Sequence, residues 1–369
     1  MRELNTIESN DSSRMLGVGV DLAHSRPRSG TFVQVDQKVM QPSVTDEGLE
    51  IMDIYDALNT YDWVEPLLWT LVAKDKDEFT KLAAEAEPHG YFIRALPGAK
   101  IPNPVQACLY TRTEKHIQLV HNIIIAEEDS DLTIITGCAT GASVRSAQHV
   151  GVSELFVRKN AKLTFSMIHH WAEEVKVRPR SVTQVEEGGT FINNYICMKP
   201  VRDVQMYPNV KLIGEGARCT LGSTLVGLPG SLLDIGGGVE LLAPNTRADI
   251  ISRTVGKGGR IIARGRMIGA AEGCKGHLEC RGLMLTNTGG LLAVPELDAT
   301  AQNVELSHEA AVGKIAQDQI DYLTSRGLTT DEAVQMIIRG FLSVKIEGLP
   351  AELEQEIQEV LDLSAEEGL

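Results

Sequence analysis

The feature that most constrains this chain is a turn-then-strand unit that recurs at near-constant spacing. It appears at Asp129 (DSDLTII), Asn160 (NAKLTFS), Gly188 (GGTFINN), Gly216 (GARCTLG) and Asn245 (NTRADII), with offsets of 31, 28, 28 and 29 residues. A period of this size predicts a solenoid in which each repeat forms about one coil stacked on the last. The competing arrangement is a two-sheet sandwich, which would show less regular spacing and more Asn-Gly hairpin signals. From about 100 to 306, short β-branched runs such as QLVHNIII, DLTIITG, VKLIGEG and RIIARGRMIG alternate with Gly/Asn turns. No long helical period separates them, which excludes an alternating βα fold with its crossover helices.

The flanks differ in texture. Residues 1–44 are polar and irregular, and residues 45–99 are expected to be helical, from LEIMDIYDAL and DKDEFTKLAAEA. Trp63 and Trp69, in YDWVEPLLW, are expected as packing anchors. The solenoid is expected over 100–306 and a C-terminal helical domain over 307–369. There AQDQIDYLTSRGL is stopped near Gly327, and Thr330 caps TDEAVQMIIRGFLSV with Ala333, Val334, Ile337, Ile338, Phe341 and Leu342 on one apolar face. Pro350 precedes a third amphipathic segment, AELEQEIQEVLDL.

Charge and cysteine usage exclude several function classes. A net charge of −15 argues against nucleic-acid binding. No apolar run reaches transmembrane length, and MRELNTIESNDSS lacks the apolar stretch of a secretory signal, so the expected address is the cytoplasm. The six cysteines are scattered without a CxxC pair, which argues against a zinc ribbon, a thioredoxin-like motif and a disulfide scaffold. The glycine clusters VGKGGR and DIGGGVE do not form a phosphate loop, so this chain is not an ATPase of that class.

The chemistry concentrates late in the chain, in Cys280 (HLECRGLML) and the pair His308–Glu309 (LSHEAAVGKI), 28 residues on. Thiol, imidazole and carboxylate suit iron or zinc. The structural alternatives are a small buried hydrophobe for Cys280, an imidazole bonded to a helix start for His308 and a first-turn helical acid for Glu309. Glu296 and Asp298 (PELDATAQ) are candidate accessory ligands, with solvated turn acids as the alternative. Cys274 is another, on the same face as Cys280 if both share a strand. His169 and His170 are expected to be structural, with at most one pointing inward.

From about residue 110 onward the chain resembles the SufB/SufD family of iron–sulfur cluster assembly proteins. HNIIIAEEDSDLTIITGC, NAKLTFSMIHHW, LAPNTRADIISR, ECRGLML and SHEAAVGKIAQDQIDYLTSRGL…EAVQMIIRGF carry the resemblance, in order and over about two-thirds of the chain. The resemblance implies a right-handed parallel β-helix flanked by helical ends. It implies that Cys280, Glu309 and His308 hold a transient cluster, [4Fe–4S] or [2Fe–2S], in the SufB manner, since SufD-type chains lack the glutamate. It also implies a partner, a SufC-type ABC ATPase, docking on Gln317–Phe341, with Gln317, Asp318, Tyr322, Arg326 and Phe341 on that surface. SHEAAVG has a SufD-like flavour as well, which fits a homodimer whose two copies meet at the ligand residues; a SufB–SufD-type heterodimer is the other arrangement. One departure concerns sulfur entry. Where many SufB proteins have a further cysteine, RPRSVTQV carries Ser181, Thr183 and Gln184, so either sulfur enters by another route, with Cys197 and Cys219 on later strands as candidate substitutes, or free sulfide is used directly.

Three functions compete at this point. The leading one is a non-enzymatic assembly scaffold. The second is a SufD-like adaptor that binds the ATPase but holds no cluster. The third is a β-helix carbohydrate lyase or hydrolase, for which no repeat-spaced acid cluster is found.

Overall fold

The turns that mark the repeat all require left-handed backbone. Asp129, Asn160, Asn245 and Asn303 sit at φ of 58, 54, 60 and 56°, and Gly188, Gly216 and Gly273 at 65, 70 and 73°. Gly, Asn and Asp are the residues that tolerate this region, so the turn composition is a conformational requirement. The turns also bond to one another. Asn160 Nδ2 donates to Asp129 Oδ1 at 3.1 Å, Asn245 Nδ2 to Glu215 Oε1 at 3.2 Å and Asn303 Nδ2 to Glu272 Oε1 at 3.1 Å.

The computed structural model describes residues 9–342 apart from residue 24. Between the turns, strands stack in parallel and in register. Asp131 pairs with Lys162, then Lys162 with Thr190, Thr190 with Arg218, Arg218 with Arg247, Arg247 with Lys275 and Lys275 with Glu305, steps of 28 to 31 residues. The result is a parallel β-solenoid of about eight turns, with helices at both ends of the chain. Among the described residues one sheet has ten strands and the other eleven. The sandwich alternative is set aside because successive coils pair in parallel instead of forming hairpins.

Alternation along each strand builds the core. Along Lys275–Met284, Gly276, Leu278, Cys280 and Gly282 are buried, while His277, Glu279 and Arg281 are half-buried on the outer face. Inward side chains including Leu132, Ile134, Phe165, Leu221, Ile250 and Leu278 fill the interior. Gly265 makes room for Leu278, because an added Cβ would lie 2.3 Å from a Leu278 methyl.

The flanks depart from the sequence reading. Residues 1–44 hold helix α1 (Ser9–Leu16) and the strands Gly30–Val35 and Lys38–Val44, which begin the ten-stranded sheet. Residues 45–99 are mixed: strand Leu49–Asp53, helix α2 (Ile54–Thr60), helix α3 (Glu78–Glu85) and strand Tyr91–Ala95. The helical pattern in LEIMDIYDAL is overridden because Leu49–Asp53 pairs antiparallel with Tyr91–Ala95 and buries Leu49 and Ile51 in the core. Only after Asp53, whose carboxylate caps the turn, does the helix begin. Trp63 and Trp69 do pack: the Arg94 guanidinium sits 4.7 Å from the Trp63 ring centroid, and Trp69 lies edge-on to His121 at 4.4 Å.

At the other end the solenoid runs past 306. Residues Glu305–Gly313 form its last strand, so His308 and Glu309 are strand residues and not the start of a helix. Helices α4 (Gln317–Ser325) and α5 (Thr330–Leu342) follow. Gly327 closes the first at φ 100°. The cap of the second is Thr329, whose Oγ1 accepts from the Glu332 amide, one residue earlier than the sequence suggested. Ala333, Ile338 and Leu342 are buried, and Ile338 and Leu342 pack with Val226 and Val255 on the outside of the ten-stranded sheet. The third amphipathic segment lies outside the described residues. Among the described residues the last coil, Gly290–Ala299 with Glu305–Gly313, is left largely exposed, with Leu292 at 50%, Leu297 at 39% and Val312 at 49%.

Candidate metal centre

Strand parity decides which ligand candidates can meet. Cys280 points into the lumen of the penultimate coil and is 3% exposed. Its lateral neighbours are Ser252 and Ala310. His308 pairs with Leu278, an inward residue, so it too faces the lumen. Cys280 and His308 are therefore diagonal neighbours on one face, a relation that spans about 7–8 Å between backbones and less between side chains. His308 remains exposed because no described coil covers the last strand.

Glu309 falls on the other face. It pairs with Glu279, and both point out of the solenoid. Arg281 bridges them, with Nε 3.1 Å from Glu279 Oε1 and Nη2 3.4 Å from Glu309 Oε1. The single chain thus brings Cys280 and His308 together and holds Glu309 apart from them.

The remaining candidates lie elsewhere. Glu296 and Asp298 pair with Arg266 and Ile268 on the other sheet, and Glu296 Oε2 sits 3.6 Å from Arg266 Nε. Their parity with Arg266, opposite to the buried Met267, turns them outward and away from Cys280. Cys274 is in the turn before the strand. Six residues of extended chain separate it from Cys280 by about 20 Å, and its thiol is engaged with Thr246 Oγ1 at 3.2 Å and the Ala243 carbonyl at 3.5 Å. Even spacing did place both cysteines on the interior side, but far apart. Cys197 and Cys219 are buried lumen residues of earlier coils. Of the two neighbouring histidines, His169 is the buried one and shares a 2.9 Å hydrogen bond between its Nδ1 and the Tyr195 hydroxyl.

Burial pushes the Cys280 thiol up to about 11, with the charge of Glu279 adding to the effect. The free thiol is therefore protonated at neutral pH. Metal ligation requires thiolate, so loading must expel a proton. Burial raises Cys138 and Cys197 further, to about 12 each.

The proposed docking residues divide. Helix α4 buries none of its residues, and Tyr322 is 58% exposed with the Arg326 guanidinium 5.2 Å from its ring centroid. Phe341 instead packs toward the solenoid, and its carbonyl accepts from Arg253 Nη1 at 3.2 Å.

The sequence reading passed over His277 and Glu279. A ring nitrogen of His277 and carboxylate oxygens of Glu279 and Glu309 lie within 4.8 Å of one another. The signal was present: polar residues at 277, 279 and 281 alternate with Gly276, Leu278 and Cys280, the pattern of a strand with one wet face.

Comparison with known proteins identifies the family. Residues 109–341 match the family described as SUF system FeS cluster assembly, SufBD core domain. An iron–sulfur cluster assembly SufBD family protein of Archaeoglobus fulgidus is 50% identical over 354 residues, covering 96% of this chain and 95% of the relative. A counterpart in Methanothermobacter thermautotrophicus is 48% identical over 355 residues, covering 95% and 86%. One in Pyrococcus horikoshii is 27% identical over 357 residues, covering 95% and 80%. This chain belongs to the SufBD family of iron–sulfur cluster assembly proteins.

Proposed function

We propose that this chain is a non-enzymatic scaffold subunit on which a nascent iron–sulfur cluster is built at the open end of the solenoid, with Cys280 as the thiolate ligand. The observation that carries the reading is the position of Cys280: a shielded thiol facing the lumen one coil from the uncovered end, with the His308 imidazole on the same face. Imidazole is an alternative to thiolate in cluster ligation. A single thiolate per chain leaves the cluster weakly held, which suits a product that must depart.

The arrangement in the assembly is a homodimer. The last strands, Gly290–Ala299 and Glu305–Gly313, have no outer pairing partner among the described residues. A bare strand edge is a template for another strand, and a second copy placed there brings two Cys280–His308 sets toward each other. The exposed face of α4, with Gln317, Asp318, Tyr322 and Arg326, offers the docking surface for an ABC-type ATPase that remodels the dimer. No helix among the described residues is long and apolar enough to cross a membrane, and the cytoplasm is the compartment this reading uses.

The outward turn of Glu309 favours a second reading, the adaptor that binds the ATPase and carries no cluster. Cluster transfer separates the two. The protein is incubated anaerobically with ferrous iron and sulfide, desalted, and mixed with an apo-ferredoxin whose absorption is followed. The scaffold reading expects the ferredoxin to acquire its cluster from wild type and not from Cys280→Ala. No transfer from either protein, with ATPase binding intact, would establish the adaptor.

A further inference from the structure

The outer face of the last two coils carries a set of groups that the cluster chemistry does not use. His277 and Glu279 stand two residues apart on Lys275–Met284, so both project outward, and Glu309 projects beside Glu279 from the neighbouring strand. One ligand atom from each lies within 4.8 Å of the others. The sheet itself separates this trio from Cys280, which faces the lumen.

Two further observations point to a ligand. The first is the setting of the imidazole. His277 Nδ1 lies 2.9 Å from Ser307 Oγ, and that hydroxyl is 3.5 Å from the Gly276 carbonyl oxygen. The ring is held through Nδ1, and among the described residues no hydrogen bond engages Nε2. A ligating histidine held in this way through its other nitrogen is a recurrent feature of metal sites. The second is Glu279 Oε1. It is shielded from solvent and accepts no well-formed hydrogen bond, although Arg281 Nε at 3.1 Å and Arg253 Nη2 at 3.7 Å lie close. A shielded carboxylate oxygen with charge balance but no hydrogen bond has unspent capacity to coordinate.

We propose that His277, Glu279 and Glu309 form a divalent-cation site on the outer face of the terminal coils, distinct from the Cys280 site, with Arg281 as its displaceable counter-charge. One imidazole and two carboxylates make a nitrogen and oxygen set suited to Fe²⁺, Mn²⁺ or Zn²⁺ and unsuited to soft ions that demand thiolate. Arg281 reaches both carboxylates in the empty site. An incoming dication takes its place and must tolerate its nearby positive charge. The site therefore binds weakly, and its affinity is set by that guanidinium. The trio is complete within one protomer and does not depend on the homodimer or on cluster assembly.

The test is Mn²⁺ titration of the full chain, read by loss of the electron paramagnetic resonance signal of the free ion. Manganese is chosen because it avoids thiolate, so the readout is independent of Cys280. Wild type is expected to bind one Mn²⁺ per chain, and Cys280→Ser is expected to bind it equally. His277→Ala and Glu279→Gln should each weaken binding by at least about tenfold, and Arg281→Gln should tighten it by about tenfold, the scale of removing one like charge at close range in a wet site. The three outer-face side chains are half-buried or exposed, and circular dichroism checks that each variant folds. Absence of stoichiometric binding, binding unaltered by His277→Ala and Glu279→Gln, or binding lost in Cys280→Ser would each overturn the proposal. The last of these leaves the cluster reading intact, whereas failure of cluster transfer leaves this site untouched.

Discussion

His149 gives the solenoid a calculable weakness to acid. Its ring is buried inside the stack, Nδ1 lies 2.9 Å from Gln118 Oε1, and Trp171 packs on it at 5.1 Å between centroids. Burial lowers its pKa from 6.5 to about 4. The unfolded chain therefore takes up a proton near pH 6.5 that the folded chain refuses until about pH 4. Because the unfolded state binds more protons in that window, stability falls as pH falls through it. At pH 5 the unfolded imidazole has gained about 1.5 pH units of protonation free energy, or about 2 kcal/mol at 1.4 kcal/mol per unit. His169 is lowered by burial and by its neighbour His149, so replacing His149 relieves that second group in the same direction. The assay is urea unfolding at pH 7 and pH 5, followed by tryptophan fluorescence, for wild type and His149→Gln. The static cost of the substitution cancels between the two pH values, and so do the carboxylates common to both proteins. Wild type should lose about 2 kcal/mol more than the variant on acidification. Equal losses would refute the burial argument.

Other outcomes follow from the same physics. Burial raises Cys138 and Cys197 from 9.0 to about 12, so their unfolded forms ionise first, and stability should fall as pH rises above 9. At pH 10.5 the loss is about 2 kcal/mol per thiol, measurable as a lowered thermal midpoint; an unchanged midpoint between pH 8 and 10.5 would contradict it. Glu154 is buried and accepts from the amides of Trp69, Leu71 and Val72, with His121 Nε2 at 2.8 Å. Glu154→Ala should cost about 3–5 kcal/mol by orphaning those groups and should expose the 65–77 segment to protease, and normal resistance would count against it. Gly214→Ala places a methyl 1.9 Å from the Glu187 backbone nitrogen. It should cost about 3 kcal/mol in a chemical denaturation curve, whereas a neutral result would show that the coil can shift there.

The fold was legible because its signal is repeated. Turn residues at fixed spacing announced the coil length, and each proved to sit in left-handed backbone, where the residue type is dictated by sterics. The N-terminal region was misjudged because five residues of LEIMDIYDAL pair with a strand some forty positions later, and no local pattern reports such a partner. At the site, sequence identified Cys280, His308 and Glu309 as residues worth watching but not their faces. A strand flips its side chains at every residue, so His308 and its immediate neighbour Glu309 could not both join Cys280 once the segment was a strand. Reading LSHEAAVG as the approach to a helix concealed that consequence. The same parity rule, applied to HLECR, separates His277 and Glu279 from Cys280 without any structure, provided the segment is first recognised as the next coil of the repeat.

Where the iron sits decides whether Cys280 holds the cluster. Wild type, Cys280→Ser and Cys274→Ser would be loaded anaerobically with ⁵⁷Fe and sulfide, desalted, and compared by Mössbauer spectroscopy with iron counted per chain. The account predicts a cluster signal in wild type, the same signal in Cys274→Ser, whose thiol is held in a turn by Thr246 and backbone carbonyls, and its loss in Cys280→Ser. A cluster of equal yield in Cys280→Ser, or one lost only in Cys274→Ser, would contradict it.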